Sequence, residues 1–152
     1  MPKASQRSKH CMYRLLNVLF SDMFYERFQE TGKQYKREQL DCSAVGKADG
    51  FWADVSIAFS EEGNEAYDNL LFVEDEFEGI DCSHIIAHDG PKLQSMWKEV
   101  NSRYCRARNN FQLSGTHDSH FQNFCMQRME VYYLRLCLNM RPGNISLFLL
   151  LP

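Results

Sequence analysis

Three sets of side chains in this sequence have types and spacings that could do chemistry. The first is ligand-like: Cys82-x-His84-x3-His88 and His117-x2-His120-x4-Cys125 both carry thiol and imidazole groups. A structural zinc site draws its ligands in close pairs, such as two cysteines two to four residues apart facing a similar histidine pair. These half-sites lack that pairing, so the expectation is no metal and no cofactor, with the histidines serving as caps or surface groups. The second set is acidic. Between Glu61 and Asp81 stand nine carboxylates and no Lys or Arg. The segment lacks the alternating Asp pattern that wraps oxygens around calcium, and the expectation is a solvated or partner-facing connection.

The third set is basic. Lys92, Lys98, Arg103, Arg106 and Arg108 lie within seventeen residues, with Glu99 the only carboxylate among them, Asn101 and Ser102 between and Asn109 and Asn110 directly after. Lys and Arg neutralise phosphates, and Arg and Asn also address base edges in a major groove. The bland alternative is the solvated face of an ordinary amphipathic helix. The whole chain carries a net charge of −3, which argues against a nucleic-acid partner only until its distribution is read. With the acidic stretch and its nine charges set aside, that −3 becomes +6, so the charge balance leaves a phosphate partner open.

The sequence contains no GxSxG, no P-loop, no Gly-rich dinucleotide turn and no HExxH, each of which carries a definite catalytic mechanism. The expectation is a protein that is not an enzyme.

The elements that must position these groups are helical. Of 152 residues, 44% are hydrophobic and 13% aromatic, enough for one real core, while Gly and Pro together number 12, too few to punctuate a strand-and-turn fold. The six cysteines are isolated and Met1–His10 is polar and basic, so the expectation is an intracellular chain with reduced thiols. The apolar end, Ile145–Leu151, is far shorter than the roughly 20 residues that cross a bilayer. No membrane partner is expected.

Along the chain, Met12, Leu15, Leu16, Leu19, Met23, Phe24 and Phe28 form one helical stripe ending before Gly32, with Ser21-Asp22 able to divide it. A short basic helix is expected over Gln34–Leu40. Asp49 is placed to cap a helix carrying Trp52, Val55 and Phe59, which stops near Gly63. Asp89-Gly90-Pro91 opens the best-marked helix, since Pro at the first turn needs no N–H partner. Its face of Leu93, Met96, Trp97, Val100, Tyr104, Ala107 and Phe111 runs about 30 Å to Ser114-Gly115. A last helix is expected from Asp118 or Ser119 to Pro142. The parts are then an N-terminal helical extension (1–48), a helical domain (49–140) and an apolar tail (141–152).

Two of these helices resemble a known family. Leu93, Trp97, Val100, Tyr104 and the terminal Ser114-Gly115 look like the closing helix of Myb/SANT-like domains of the trihelix and transposon-associated kinds. Phe51-Trp52 with Val55 and Phe59 is similar to their first helix, and the likeness covers about residues 49–140. The resemblance implies an all-α bundle containing a three-helix, helix-turn-helix unit with core residues Trp52, Val55, Phe59, Trp97, Val100, Tyr104 and Phe111. It implies a nuclear, regulatory or transposon-derived factor that binds double-stranded DNA through Lys98, Asn101, Arg103, Arg106 and Arg108. The chain departs from the pattern in its long acidic linker, where the middle helix falls at Ser83–His88 if anywhere. Relatives of the SANT type that bind proteins tend to be acidic, so the alternative is a protein-interaction module using the 61–81 segment. An acidic loop folded over the arginine helix would be autoinhibitory.

Overall fold

In a computed structural model of the chain, residues 7–31, 42–114 and 120–141 are described, with side chains omitted for 42–49. The architecture is all-α, and no strand occurs among the described residues. Six α-helices follow in order: α1 Cys11–Leu19, α2 Tyr25–Thr31, α3 Cys42–Phe59, α4 Glu65–Asp68, α5 Gly90–Leu113 and α6 Met129–Met140. Two 3₁₀ turns, Asp75–Phe77 and Phe121–Phe124, join them.

All nine residues of α1 are buried. A helix apolar all round belongs in the middle of a core, and α1 touches α3, α4, α5 and α6. It is the centre of the molecule, and the expected boundary at 48/49 falls inside α3. The two polar residues of α1 explain how the acidic segment is held. Arg14, wholly buried, donates Nε to Phe59 O (2.6 Å), Nη2 to Glu61 O (2.7 Å), and Nη1 to Cys82 O (2.9 Å) and Asp68 Oδ1 (2.6 Å). Phe59 O lies at the end of α3, where helix geometry leaves carbonyls without partners, and Glu61 O and Cys82 O lie in non-helical chain on either side of α4. Asn17 donates to Tyr67 O and Asn69 O, and accepts from the Tyr133 hydroxyl. The acidic segment is thus strapped to α1, with Tyr67 and Phe77 in the core.

The chain divides at Ser21-Asp22, though not by N-capping: Ser21 Oγ donates back to Val18 O at 2.7 Å at the end of α1, and Asp22 pairs with Arg141. Helix α3 begins at Cys42, not at Asp49, so Asp49 lies within the helix and not at its start. Gly50 costs only about 1 kcal/mol within a helix, and burial of Phe51, Trp52, Val55 and Phe59 carries the helix past it. The start of α5 is as expected: Asp89 accepts from Lys92 N at 2.8 Å and Pro91 occupies the first turn. Gly90 is required there for a second reason, because a Cβ would lie 3.1 Å from the Trp52 carbonyl carbon and oxygen. Trp97, Val100 and Tyr104 are buried, and Phe111 is partly buried, packing edge-on against Phe121 and Phe124. Phe28 of α2 meets Trp97 at 4.8 Å.

Two expected helices differ. Residues 83–88 are not helical. Asp81 Oδ1 captures the Ser83 N–H, and the His88 carbonyl accepts from Ser56 Oγ at 2.6 Å, so this backbone serves tertiary bonds instead. The expected last helix is two pieces: the 3₁₀ turn at Phe121–Phe124, a reversal at Met126-Gln127, then α6. Reversal lets Phe121 sit on Tyr104 and Phe111 while Val131, Tyr133 and Leu134 enter the core. Arg135 of α6 lies 4.3 Å from the Phe121 ring centre and ties the two pieces together. The segments expected at Gln34–Leu40, Asp118-Ser119 and 142–152 lie outside the described residues.

Candidate nucleic-acid interface

The turn of α5 fixes which of its polar residues can meet a partner. Positions four apart share a face, and Lys98, Ser102 and Arg106 form such a row, all exposed and joined by Asn109. The other three residues singled out in the sequence lie elsewhere. Asn101 is turned to the side of Trp97 and Tyr104 and is only 7% exposed, which corrects its assignment to the outer face. Arg108 is also on the flank of the inner side, half-buried, and its Nε is buried without a hydrogen-bond partner among the described residues. Arg103 faces the opposite flank, where it pairs with Glu99 at 2.9 Å and Glu130 at 3.8 Å.

Glu99 is the local organiser. It also pairs with Arg7, and that hydrogen bond, with the nearby Arg7, Arg103 and Arg128 charges, holds its carboxyl below the usual carboxylate range. Arg103 and Arg7 are therefore largely neutralised within the molecule. Lys98, Arg106, Arg128 and Lys9 are not: all four are exposed, and none forms an ion pair among the described residues.

Arg128 was not expected, because a continuous helix over 118–142 would place it as one more helical surface residue. Its position follows from the reversal before α6. There Met126 and Gln127 have φ of 52° and 65°, and the Arg128 N–H closes the turn on Cys125 O at 3.0 Å. Two successive positive φ values closed by this bond have the pattern of a type I′ turn, which ordinarily uses Asn-Gly. The sequence signal that could have found it is weak, since neither Met nor Gln favours that conformation.

Between α5 and this turn lies a cleft of about 310 Å³. Arg103, Arg106, Ala107 and Asn110 of α5 line it, together with Phe124, Cys125, Met126 and Arg128 of the 3₁₀ turn and the reversal. Burial pushes the Cys125 thiol up to about 11, so it is neutral here. A second cleft of about 270 Å³ shares Arg128 and adds Arg7, Lys9 and Tyr13. Arg128 stands on the ridge between them.

The ligand-like residues do not converge. Cys82 is buried, His84 is exposed with its ring against His10, and His88 is buried with Nε2 3.3 Å from Cys11 Sγ. That thiol–imidazole contact is sealed, at 0% and 3% exposure. Among the described residues no three His, Cys, Asp or Glu side chains are grouped to hold a metal, and no helix is long and apolar enough to cross a membrane. His117 lies outside the described residues. The carboxylates of 61–81 form no ion pair with an α5 arginine among the described residues; the ion pair on that segment is Arg14–Asp68. No protein-family model, no curated protein and no solved structure matches the chain.

Proposed function

We propose that this protein is a non-enzymatic binder of duplex DNA, docking on the phosphate backbone through the outward row of α5. The observation that carries the reading is the exposed set Lys98 and Arg106, without an ion pair among the described residues and continued off the helix by Arg128 and Lys9. Cations that are not already neutralised by their own molecule can displace condensed counterions from DNA, and that exchange supplies most of sequence-independent affinity. Ser102 and Asn109 on the same row can add hydrogen bonds to phosphate or to base edges. Asn101 and Arg108 drop out of the contact set because α5 turns them inward, and Arg103 contributes only if it exchanges Glu99 for phosphate. The likeness to Myb/SANT-like domains in the two Trp-bearing helices supports a regulatory or transposon-derived role and a nuclear location.

The test is duplex binding by wild type and by Lys98→Ala with Arg106→Ala. Loss of two phosphate contacts, each about 1 kcal/mol, should weaken Kd by about 30-fold at low salt, while helicity stays unchanged because both residues are exposed. Equal affinity of the two proteins would reject the reading.

One observation favours a second reading. Val73 is 91% exposed amid Glu74, Asp75 and Glu76, and Leu71 is also exposed. An apolar residue set among carboxylates suits a basic, apolar-tipped protein partner. This interaction-module reading predicts no salt-dependent DNA binding, and loss of the partner on Val73→Asp.

A further inference from the structure

The cleft beside α5 has features that backbone docking does not use. Three arginines, Arg103, Arg106 and Arg128, line one cleft, and among the described residues only Arg103 of the three forms ion pairs. Like charges gathered around a cavity repel one another and are stabilised when an anion enters. The lining also holds apolar groups, Phe124 and Met126 from the turn and Ala107 from α5. Phosphate alone would need only the arginines. A flat, weakly polar group attached to phosphate would use the apolar groups as well. The volume of about 310 Å³ sits at the lower end of the range of small-molecule sites.

The turn that completes the cleft is the second, independent observation. Met126 and Gln127 both hold left-handed conformations, each costing about 1–3 kcal/mol for a residue with a side chain. That strain brings Met126 to the rim, 75% exposed, and sets Arg128 opposite Arg106 across the cleft. An exposed thioether and an aromatic ring on one wall suit a planar base, since stacking on such groups is tolerant of base identity.

We propose that this cleft binds a single unpaired nucleotide, with its phosphate among Arg103, Arg106 and Arg128 and its base against Phe124 and Met126. The proposal rests on nucleic acid as the partner and extends it from the duplex backbone to an unstacked nucleotide at a strand end or overhang. A free mononucleotide offers the same chemistry, so the two sources are separated by experiment.

The full chain is titrated with inorganic phosphate, with dAMP and with a phosphoserine peptide, following the Phe124 and Met126 resonances by NMR. Blunt duplex and the same duplex with a short single-stranded overhang are then compared. The expected result is dAMP binding about tenfold or more tighter than inorganic phosphate, the worth of one stacked base, with both side chains shifted. Arg128→Gln, exposed and without an ion pair among the described residues, should weaken dAMP at least about fivefold, the loss of one charge-assisted contact. The overhang should raise duplex affinity and dAMP should compete with it; binding of dAMP with no gain from the overhang assigns the cleft to free nucleotides and overturns the strand-end proposal. Equal affinity for dAMP and inorganic phosphate overturns it, as does a phosphoserine peptide that matches dAMP. If blunt duplex binds while dAMP does not, the cleft proposal fails and duplex docking stands. If dAMP and the overhang bind while blunt duplex does not, the cleft stands and duplex docking fails.

Discussion

Arg14 shows how one side chain can settle the course of a long segment. Its four donations collect the end of α3 with the loop at Glu61, α4 through Asp68 and the chain at Cys82 onto the central helix. Replacing it by Met keeps the apolar stem but leaves three carbonyls and the Asp68 carboxylate without their donor. Breaking one side of a buried pair of this kind costs about 3–5 kcal/mol, a large share of the roughly 5–15 kcal/mol that holds a domain together. Urea unfolding of Arg14→Met should show that loss, and a midpoint within experimental error of wild type would contradict the role. Nothing in the sequence marks Arg14, because a lone Arg in an apolar helix reads as a surface position. Its partners lie 45 to 68 residues away. By contrast Trp52, Val55, Phe59, Trp97, Val100 and Tyr104 were legible from spacing alone, since helical period fixes which residues share a face. The same rule, applied to the basic residues, excludes a common face: Arg103 and Arg108 are five apart and cannot point the same way. Composition grouped them, and geometry separates them.

Among the elements, the best predicted is the start of α5, where Asp89, Gly90 and Pro91 each supply a local reason for a helix to begin. The worst predicted is the reversal before α6, where local preference opposes the observed backbone at both Met126 and Gln127. Tertiary packing overrides it: Phe121 and Phe124 must reach Phe111 while Val131 and Tyr133 reach the core. If the turn is strained for the sake of what it presents, relieving it should stabilise the fold. Met126→Asn with Gln127→Gly, the pair such turns prefer, should stabilise by about 1 kcal/mol and raise Tm by about 2–4 °C. A fall in Tm by calorimetry would show that the two residues are there for packing. The extended stretch at 83–88 failed as a helix for a related reason, because His88 is held through both its ring and its carbonyl by other elements.

At the scale of the whole molecule, the charge distribution is fixed by the fold. The 61–81 segment is strapped to α1 and α6 through Arg14 and Tyr132, which hold Asp68 and Glu74, and through Asn17 and Tyr133, which hold the backbone at Tyr67 and Leu71; its carboxylates form no ion pair with the α5 row among the described residues. The fold also predicts its own response to acid. Burial, with the nearby Lys92 charge, pushes the His88 imidazole below its usual value of 6.5, and burial with the His84 charge does the same for His10. The unfolded chain therefore takes up those protons first. Stability is at its full value above about pH 6.5 and is lost as pH falls from there through the lowered folded values. Glu99, held below 4.5, loses its contribution only further into the acid range. Chemical denaturation across pH should show the first loss in wild type and a shallower one in His88→Gln; identical profiles would contradict the assignment. Helical class and the main core face could be read from the sequence, whereas the central position of α1 and the cleft could not, because both depend on contacts between distant segments.

The claim on which the functional account depends is that Lys98, Arg106, Arg128 and Lys9 are free to exchange counterions with a phosphate backbone. It is tested most directly by the affinity of the full chain for duplex DNA as a function of salt. Four such contacts predict that log K falls with log salt at a slope of about −3 to −4, and that the slope shrinks by about 1 for each of the four cations replaced. A flat dependence, or one unmoved by replacing them, would contradict it.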